Sequence, residues 1–136
     1  MLIPVESLLK AIGDRSRLRI LKMLEPGELC VCQMTAVLGL GTSTVSQHLS
    51  TLKSVGLVTE RRQGRWTYYS LAKPRTGETS AVMLEALGRI LNDDETVADD
   101  RRKLDVLRCC SVADVRKLGS AVFAGAGRSE AKGVSE

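Results

Sequence analysis

Aromatic residues are almost missing, with one Trp, two Tyr and one Phe among 136 residues. Proteins that hold single strands by stacking successive bases on aromatic platforms are disfavoured by that scarcity. Histidine occurs once, at His48, so Asp99 and Asp100 lack the imidazoles that a His/Asp zinc site requires. No apolar run approaches the roughly 18 residues a membrane span needs. The opening stretch MLIPVESLLK also lacks the charged-then-apolar layout of a signal peptide. The expectation is a cytoplasmic protein with no membrane partner. No CxxC lies on a βαβ pattern and no nucleophile–base pair is in evidence, so no enzyme is expected.

What is present suits one globular domain: 43% hydrophobic residues, 26% charged and a formal charge of only +4. Charge distribution says more than the total. Arg61, Arg62 and Arg65 cluster, Arg15, Arg17, Arg19 and Lys22 crowd a second stretch, and acids gather at Asp93, Asp94, Glu95, Asp99 and Asp100. One end of the molecule is expected to be basic.

Val5, Leu8, Leu9 and Ile12 follow helical spacing over 5–12. Gly13 ends that helix, and Asp14 can cap a second one that Pro26-Gly27 stops. A third helix is expected over 28–38. After Gly39-Leu40-Gly41, Thr42 or Ser43 can cap a fourth that continues to about Val55. Two helices joined by a short Gly-containing turn make a helix-turn-helix. From Gly56 onward the period becomes two, and β-rich runs at 57–62 and 65–71 predict a hairpin around Gln63-Gly64 with arginines at its tip. Helices over 82–91 and 95–108 follow. The fold class is therefore mainly α with a small β-hairpin, a winged helix-turn-helix. Its organisation reads as a DNA-binding and dimerisation domain over 1–92, a helical extension over 93–118 and a Gly/Ala/Ser-rich flexible tail over 119–136.

The fourth helix divides by face. Val45, Leu49 and Leu52 form a core stripe, whereas Ser43, Thr44, Ser46, Gln47, His48, Ser50 and Lys53 lie elsewhere. Short hydroxyls and amides of that kind read base edges in a major groove. Lone His48 on that face reads as a DNA contact rather than a metal ligand. Phosphate neutralisation falls to Lys53, Arg61, Arg62 and Arg65. A solvated helix beside a solvated hairpin, or a winged helix that binds only protein, would leave this combination unexplained. The expected partner is double-stranded operator DNA.

The four cysteines form two close pairs, Cys30/Cys32 and Cys109/Cys110. In a reducing compartment these read as free thiols, redox sensors or metal ligands. On a regular helix Cys30 and Cys32 would point about 200° apart, so a shared ion needs a distorted first turn. A helix N-terminus favours thiolate at the first pair, and Arg108 does so at the second. Thiolates alone select soft ions, among them As(III), Cd(II), Pb(II) and Zn(II).

Together these residues resemble the ArsR/SmtB family of winged-helix metal- and metalloid-responsive repressors, over roughly residues 5–92. Glu28-Leu29-Cys30-Val31-Cys32 is similar to the ion-binding motif of its arsenic and cadmium sensors. Ser43 to Leu49 with Leu52-Lys53 and Gly56-Leu57-Val58 resembles the recognition helix, and Arg62 to Tyr69 the wing. The resemblance implies a homodimer joined through the first helix and the 82–91 helix, and repression that ends when an ion binds. Arsenic sensors of the family carry a third cysteine where this chain has Thr35. Cys109 or Cys110 would then complete an As(III) site, or each pair acts alone on a methylated arsenical that needs two thiolates. A four-thiolate Cd(II), Pb(II) or Zn(II) site and a thiol-redox repressor are the alternatives.

Overall fold

A computed structural model describes residues 2–108 and 110–123; the expectations for Cys109 and for 124–136 of the tail lie outside those residues. Seven helices and three short strands fold around one core among the described residues. Helix α1 spans Leu2–Ile12, a turn longer than the apolar spacing alone suggests. Asp14 caps α2 (Arg15–Leu24), its carboxylate accepting from the Arg17 N–H at 3.0 Å, which satisfies a donor no intrahelical carbonyl can reach.

The segment expected to begin the third helix behaves differently. Leu29–Cys30 is extended and forms strand β1, and helix α3 starts only at Val31 and runs to Leu38. Pairing explains the departure: Leu29 and Cys30 lie opposite Tyr69 and Tyr68 of the wing. Gly39 ends α3 in the left-handed region at φ 68°, a conformation glycine adopts without a Cβ clash. Helix α4 covers Thr42–Ser54, with Gly41 rather than Thr42 or Ser43 at its cap. Val45, Leu49 and Leu52 are fully buried, as their spacing requires.

Strands β2 (Val58–Gln63) and β3 (Trp66–Leu71) form the hairpin, and β1 joins β3 to give a sheet in the order β1-β3-β2. Gln63 pairs with Trp66, so the two-residue loop is Gly64-Arg65 and not Gln63-Gly64. Gly64 takes φ 61° and Arg65 does not enter the positive range, the pattern of a turn with glycine at its first central position. The one-residue shift puts Arg65 in the loop itself.

Helix α5 (Thr79–Arg89) stops earlier than the apolar pattern suggests, and Leu91 has a φ of 62°. Helix α6 (Glu95–Leu107) is capped by Asp94, and a short helix α7 (Val112–Leu118) follows. Leu104, Leu107 and Val115 sink into the same core as α2, α3 and α4, and Val122 and Phe123 pack against it. Leu2, Ile3 and Leu9 of α1 stay exposed, as do Val82 of α5 and Ile90 beyond it. Among the described residues no helix is long and apolar enough to cross a membrane.

The second basic stretch does not form an open patch. Arg19 makes a two-pronged bond to buried Asp100 at 2.8 and 2.9 Å, and Lys22 is buried. Their charges are consumed inside the fold, where unpaired ions would cost several kcal/mol each.

Candidate DNA interface and thiol site

Helix α4 presents Ser43, Thr44, Ser46, Gln47 and Ser50 to solvent on the side opposite its buried stripe. His48 is half-buried, and its Nδ1 meets the Arg17 guanidinium at 3.2 Å. Arginine has no acceptor, so Nδ1 accepts and the ring proton sits on Nε2. Arg17 also donates to the Ala11 carbonyl at 2.6 Å. Through these bonds Arg17, in the first turn of α2, ties the end of α1 to His48 of α4. Lys53 pairs with Glu60 of β2 at 2.9 Å, and the Tyr69 hydroxyl donates to the same carboxylate at 2.8 Å. Burial, with Glu60 close by, pushes the Tyr69 hydroxyl up to about 12.

The three wing arginines differ. Arg61 makes a two-pronged pair with Glu28 at 2.6 and 3.0 Å and lies 4.7 Å over the Tyr68 ring. Arg62, next along β2, is exposed, as is Arg65 in the hairpin loop. Thr42 and Ser46 of α4 and Arg65 of the hairpin loop line one cleft, which brings the start of the recognition helix beside the wing.

That cleft also reaches the thiols. Cys30 is buried in extended backbone and Cys32 sits in the first turn of α3, which brings their Sγ atoms to 3.1 Å. The strand-to-helix break supplies the distortion that a regular helix would forbid. The Gln33 side chain accepts from the Cys30 N–H at 2.8 Å, and the Thr35 hydroxyl donates to the Cys32 carbonyl at 2.8 Å. Both bonds pin the turn that carries the sulfurs. The Cys32 thiol, donating to Cys30 sulfur, pulls Cys30 down to about 6, with help from backbone N–H groups of the helix start and from the Arg116 charge. Cys32 moves the opposite way, because its proton is held by Cys30 and burial opposes a second charge. The pair therefore holds one shared proton and one negative charge near neutrality.

Of the second cysteine pair the structure describes Cys110, which is half-buried and makes no contact with the first pair. The Val112 carbonyl lies 3.8 Å from Cys32 Sγ, whereas Cys110 Sγ faces the Val106 carbonyl at 3.9 Å. Among the described residues no three Cys, His, Asp or Glu side chains gather at ion-holding distance. Sequence reasoning missed α7, and with it Arg116, whose guanidinium lies 5.3 Å over the Trp66 ring. Ser111 ahead of apolar Val112 and Val115 was the available signal, a cap followed by helical spacing. Glu28 escapes sequence reasoning as well, because nothing local ties it to Arg61 thirty-three residues away.

A helix-turn-helix whose second helix is polar outward, followed by a basic hairpin, defines a winged-helix DNA-binding transcription regulator. The model of the bacterial regulatory protein arsR family matches residues 14–60, from the α2 cap into β2. The chain is 37% identical over 89 residues to the putative arsenical resistance operon repressor of Halobacterium salinarum, which covers 64% of this chain and 71% of that relative. It is 40% identical over 68 residues to the cadmium resistance regulatory protein CadC homolog of Staphylococcus aureus, covering 49% and 56%. Among solved structures, the homodimeric winged helix-turn-helix domain Mb0332 of Mycobacterium bovis superposes with a TM-score of 0.55 at 37% identity, covering 68% of this chain and 81% of that one. The chain belongs to the ArsR/SmtB family of winged-helix transcriptional repressors.

Proposed function

We propose that this repressor binds operator DNA as a homodimer and is released when a thiophilic ion, As(III) or an organoarsenical, is captured by Cys30 and Cys32. The observation that carries the reading is the thiol pair itself: two sulfurs 3.1 Å apart, one of them acidified, at a cleft bounded by the recognition helix and the wing. Their spacing bears on the ion. A tetrahedral zinc with Zn–S bonds of about 2.3 Å holds its sulfurs about 3.8 Å apart. The same bond length with angles near 90°, as at a pyramidal lone-pair ion, holds them about 3.3 Å apart. Either ion would widen the pair beyond its hydrogen-bonded 3.1 Å, the pyramidal one by less. Names of relatives for arsenical and for cadmium resistance support the broader class of inducer.

Groove contacts are assigned to Ser43, Thr44, Ser46, Gln47, His48 and Ser50, and phosphate contacts to Lys53, Arg62 and Arg65. Arg61 and Lys53 act on the backbone by exchanging Glu28 and Glu60 for a phosphate. The exposed apolar faces of α1 and α5, centred on Leu9 and Val82, supply the dimer interface. Cys109 and Cys110 are assigned as a second thiol pair, auxiliary to the first.

Fluorescence anisotropy of a labelled operator duplex, obtained by selection from random sequences, tests the reading. As(III) and methylarsenite should release the wild-type protein at concentrations where Zn(II) does not. The Cys30→Ser, Cys32→Ser protein should bind DNA and ignore both arsenicals. Normal release from that protein would move the site to Cys109/Cys110.

A further inference from the structure

The cleft of about 200 Å³ beside the thiols has more in it than two sulfurs. Its walls include Thr42 and Ser46 of α4, Arg65 and Trp66 of the wing, and Arg116 of α7. Among the described residues two guanidinium groups line it and no carboxylate does. The Arg116 guanidinium lies over the Trp66 ring, which sets a cation against the aromatic wall. A methyl group on arsenic would leave most of that space empty, whereas a phenyl ring is of the right order.

We infer that this cleft is a substituent subsite, built to take the organic group of a monosubstituted trivalent arsenical whose flat substituent carries an anionic group. The inference rests on arsenic capture by Cys30 and Cys32. In that capture R–As(OH)2 exchanges both hydroxyls for sulfur. Two As–S bonds form and two As–O bonds break; one hydroxyl leaves as water with the proton the pair shares, the other takes a proton from solvent and leaves as water, and no oxidation state changes. The third arsenic substituent then lies in the cleft. Its ring packs against Trp66, and its anionic group meets Arg116 and Arg65, a charge-assisted pairing stronger than a neutral one. The small hydroxyls of Thr42 and Ser46 leave room for it on the α4 side. An occupant so placed stands between the recognition helix and the wing, so its bulk is delivered to the two parts that must grip DNA together.

The sole tryptophan of the chain, Trp66, makes the test direct. Methylarsenite, phenylarsenite and 4-carboxyphenylarsenite are titrated into the full-length protein, reading Trp66 fluorescence without DNA and anisotropy with the operator. The carboxylated compound should act at about tenfold lower concentration than phenylarsenite, the ratio expected from one hydrogen-bonded charge pair. In the Arg116→Gln protein that ratio should fall towards one. Equal potency of the two aryl compounds on the wild type, or a ratio untouched by Arg116→Gln, overturns the subsite while leaving thiol capture standing. If no arsenical acts, or if all act equally on the Cys30→Ser, Cys32→Ser protein, thiol capture itself fails and the subsite falls with it.

Discussion

Replacing Lys22 by Met isolates the most unusual polar contact in the core. Lys22 is 1% exposed, and its ammonium donates to the Leu87 and Ile90 carbonyls, both at 2.8 Å, and to Asn92 Oδ1 at 3.0 Å. It also lies against the Glu25 carboxylate. The two carbonyls belong to the end of α5, where the Leu87 oxygen has only a long bond from the Ile90 N–H at 3.3 Å besides the ammonium and a cation is favoured by the helix dipole. Methionine keeps an unbranched stem of similar length but brings no donor. A hydrogen bond to a charged group contributes roughly 1.5–3 kcal/mol, and removing one partner of a buried ion pair costs about 3–5 kcal/mol. Glu25 keeps Arg101 at 3.2 Å and is 22% exposed, which puts its share at the low end. The expected loss is about 3–4 kcal/mol, a large part of the roughly 5–15 kcal/mol of an ordinary domain. Urea unfolding followed by circular dichroism measures it, at one fixed protomer concentration because association adds to apparent stability. A loss below about 1 kcal/mol, the size of a routine substitution, would refute the claim that Lys22 fastens α5 to α2.

Iodoacetamide should alkylate Cys30 with a half-maximal rate near pH 6, against about 8.5 for an ordinary cysteine, and Cys32→Ala should move the midpoint upward; a midpoint above about 8 contradicts the thiol pairing. Because Cys30 is more acidic when folded, its contribution to stability is complete above its unfolded value and is lost as pH falls through about 6. The upward shift of Cys32 acts oppositely, so it costs stability above the unfolded value and Cys32→Ala should flatten the alkaline limb of a pH–stability curve. Arg62→Ala with Arg65→Ala should lower the slope of log affinity against log salt by about 1.8, or about 0.9 for each phosphate no longer neutralised; an unchanged slope removes the wing from the interface. Val82→Glu with Leu9→Glu should yield a folded monomer in sedimentation, since a charge would be buried on each side of the apolar seam; a persistent dimer places the interface elsewhere.

The helix-turn-helix was legible because its signals are local. Asp14, Gly39, Gly56 and the Val45–Leu49–Leu52 stripe each act within one or two turns of chain, and each holds its expected place. Errors arose where a distant partner decides. Residues 29 and 30 read as helix until Tyr68 and Tyr69 are brought alongside to pair with them. The basic look of 15–22 dissolves once Asp100 and the end of α5 arrive to neutralise it. The hairpin loop moves by one residue for a local reason: glycine at the first central position is a turn signal of its own, and Gln63 is free to extend the strand. For the thiols, the spacing forbids a shared site on a regular helix, and the fold meets that objection by starting the helix one residue after Cys30.

That start also bears on how capture of an ion reaches DNA. Cys30 faces Tyr68 across the wing sheet, while Cys32 belongs to the helix that packs under α4. Widening the sulfurs from 3.1 Å must therefore move either the sheet edge or the first turn of α3. Gln33 and Thr35 hold that turn, and Glu28 holds Arg61 two residues before Cys30. With close-packed neighbours on both sides, a small displacement is passed on rather than absorbed. Emptying an operator from roughly 99% to 1% occupancy takes about 10⁴-fold tighter ion binding to the released state. On the proposed reading, DNA must weaken the ion by that same factor. Operator duplex should consequently weaken arsenical binding at Cys30 and Cys32, read as a shift of the Trp66 fluorescence titration to higher concentration. Capture at equal affinity with and without DNA would mean the thiols report an ion without controlling the repressor.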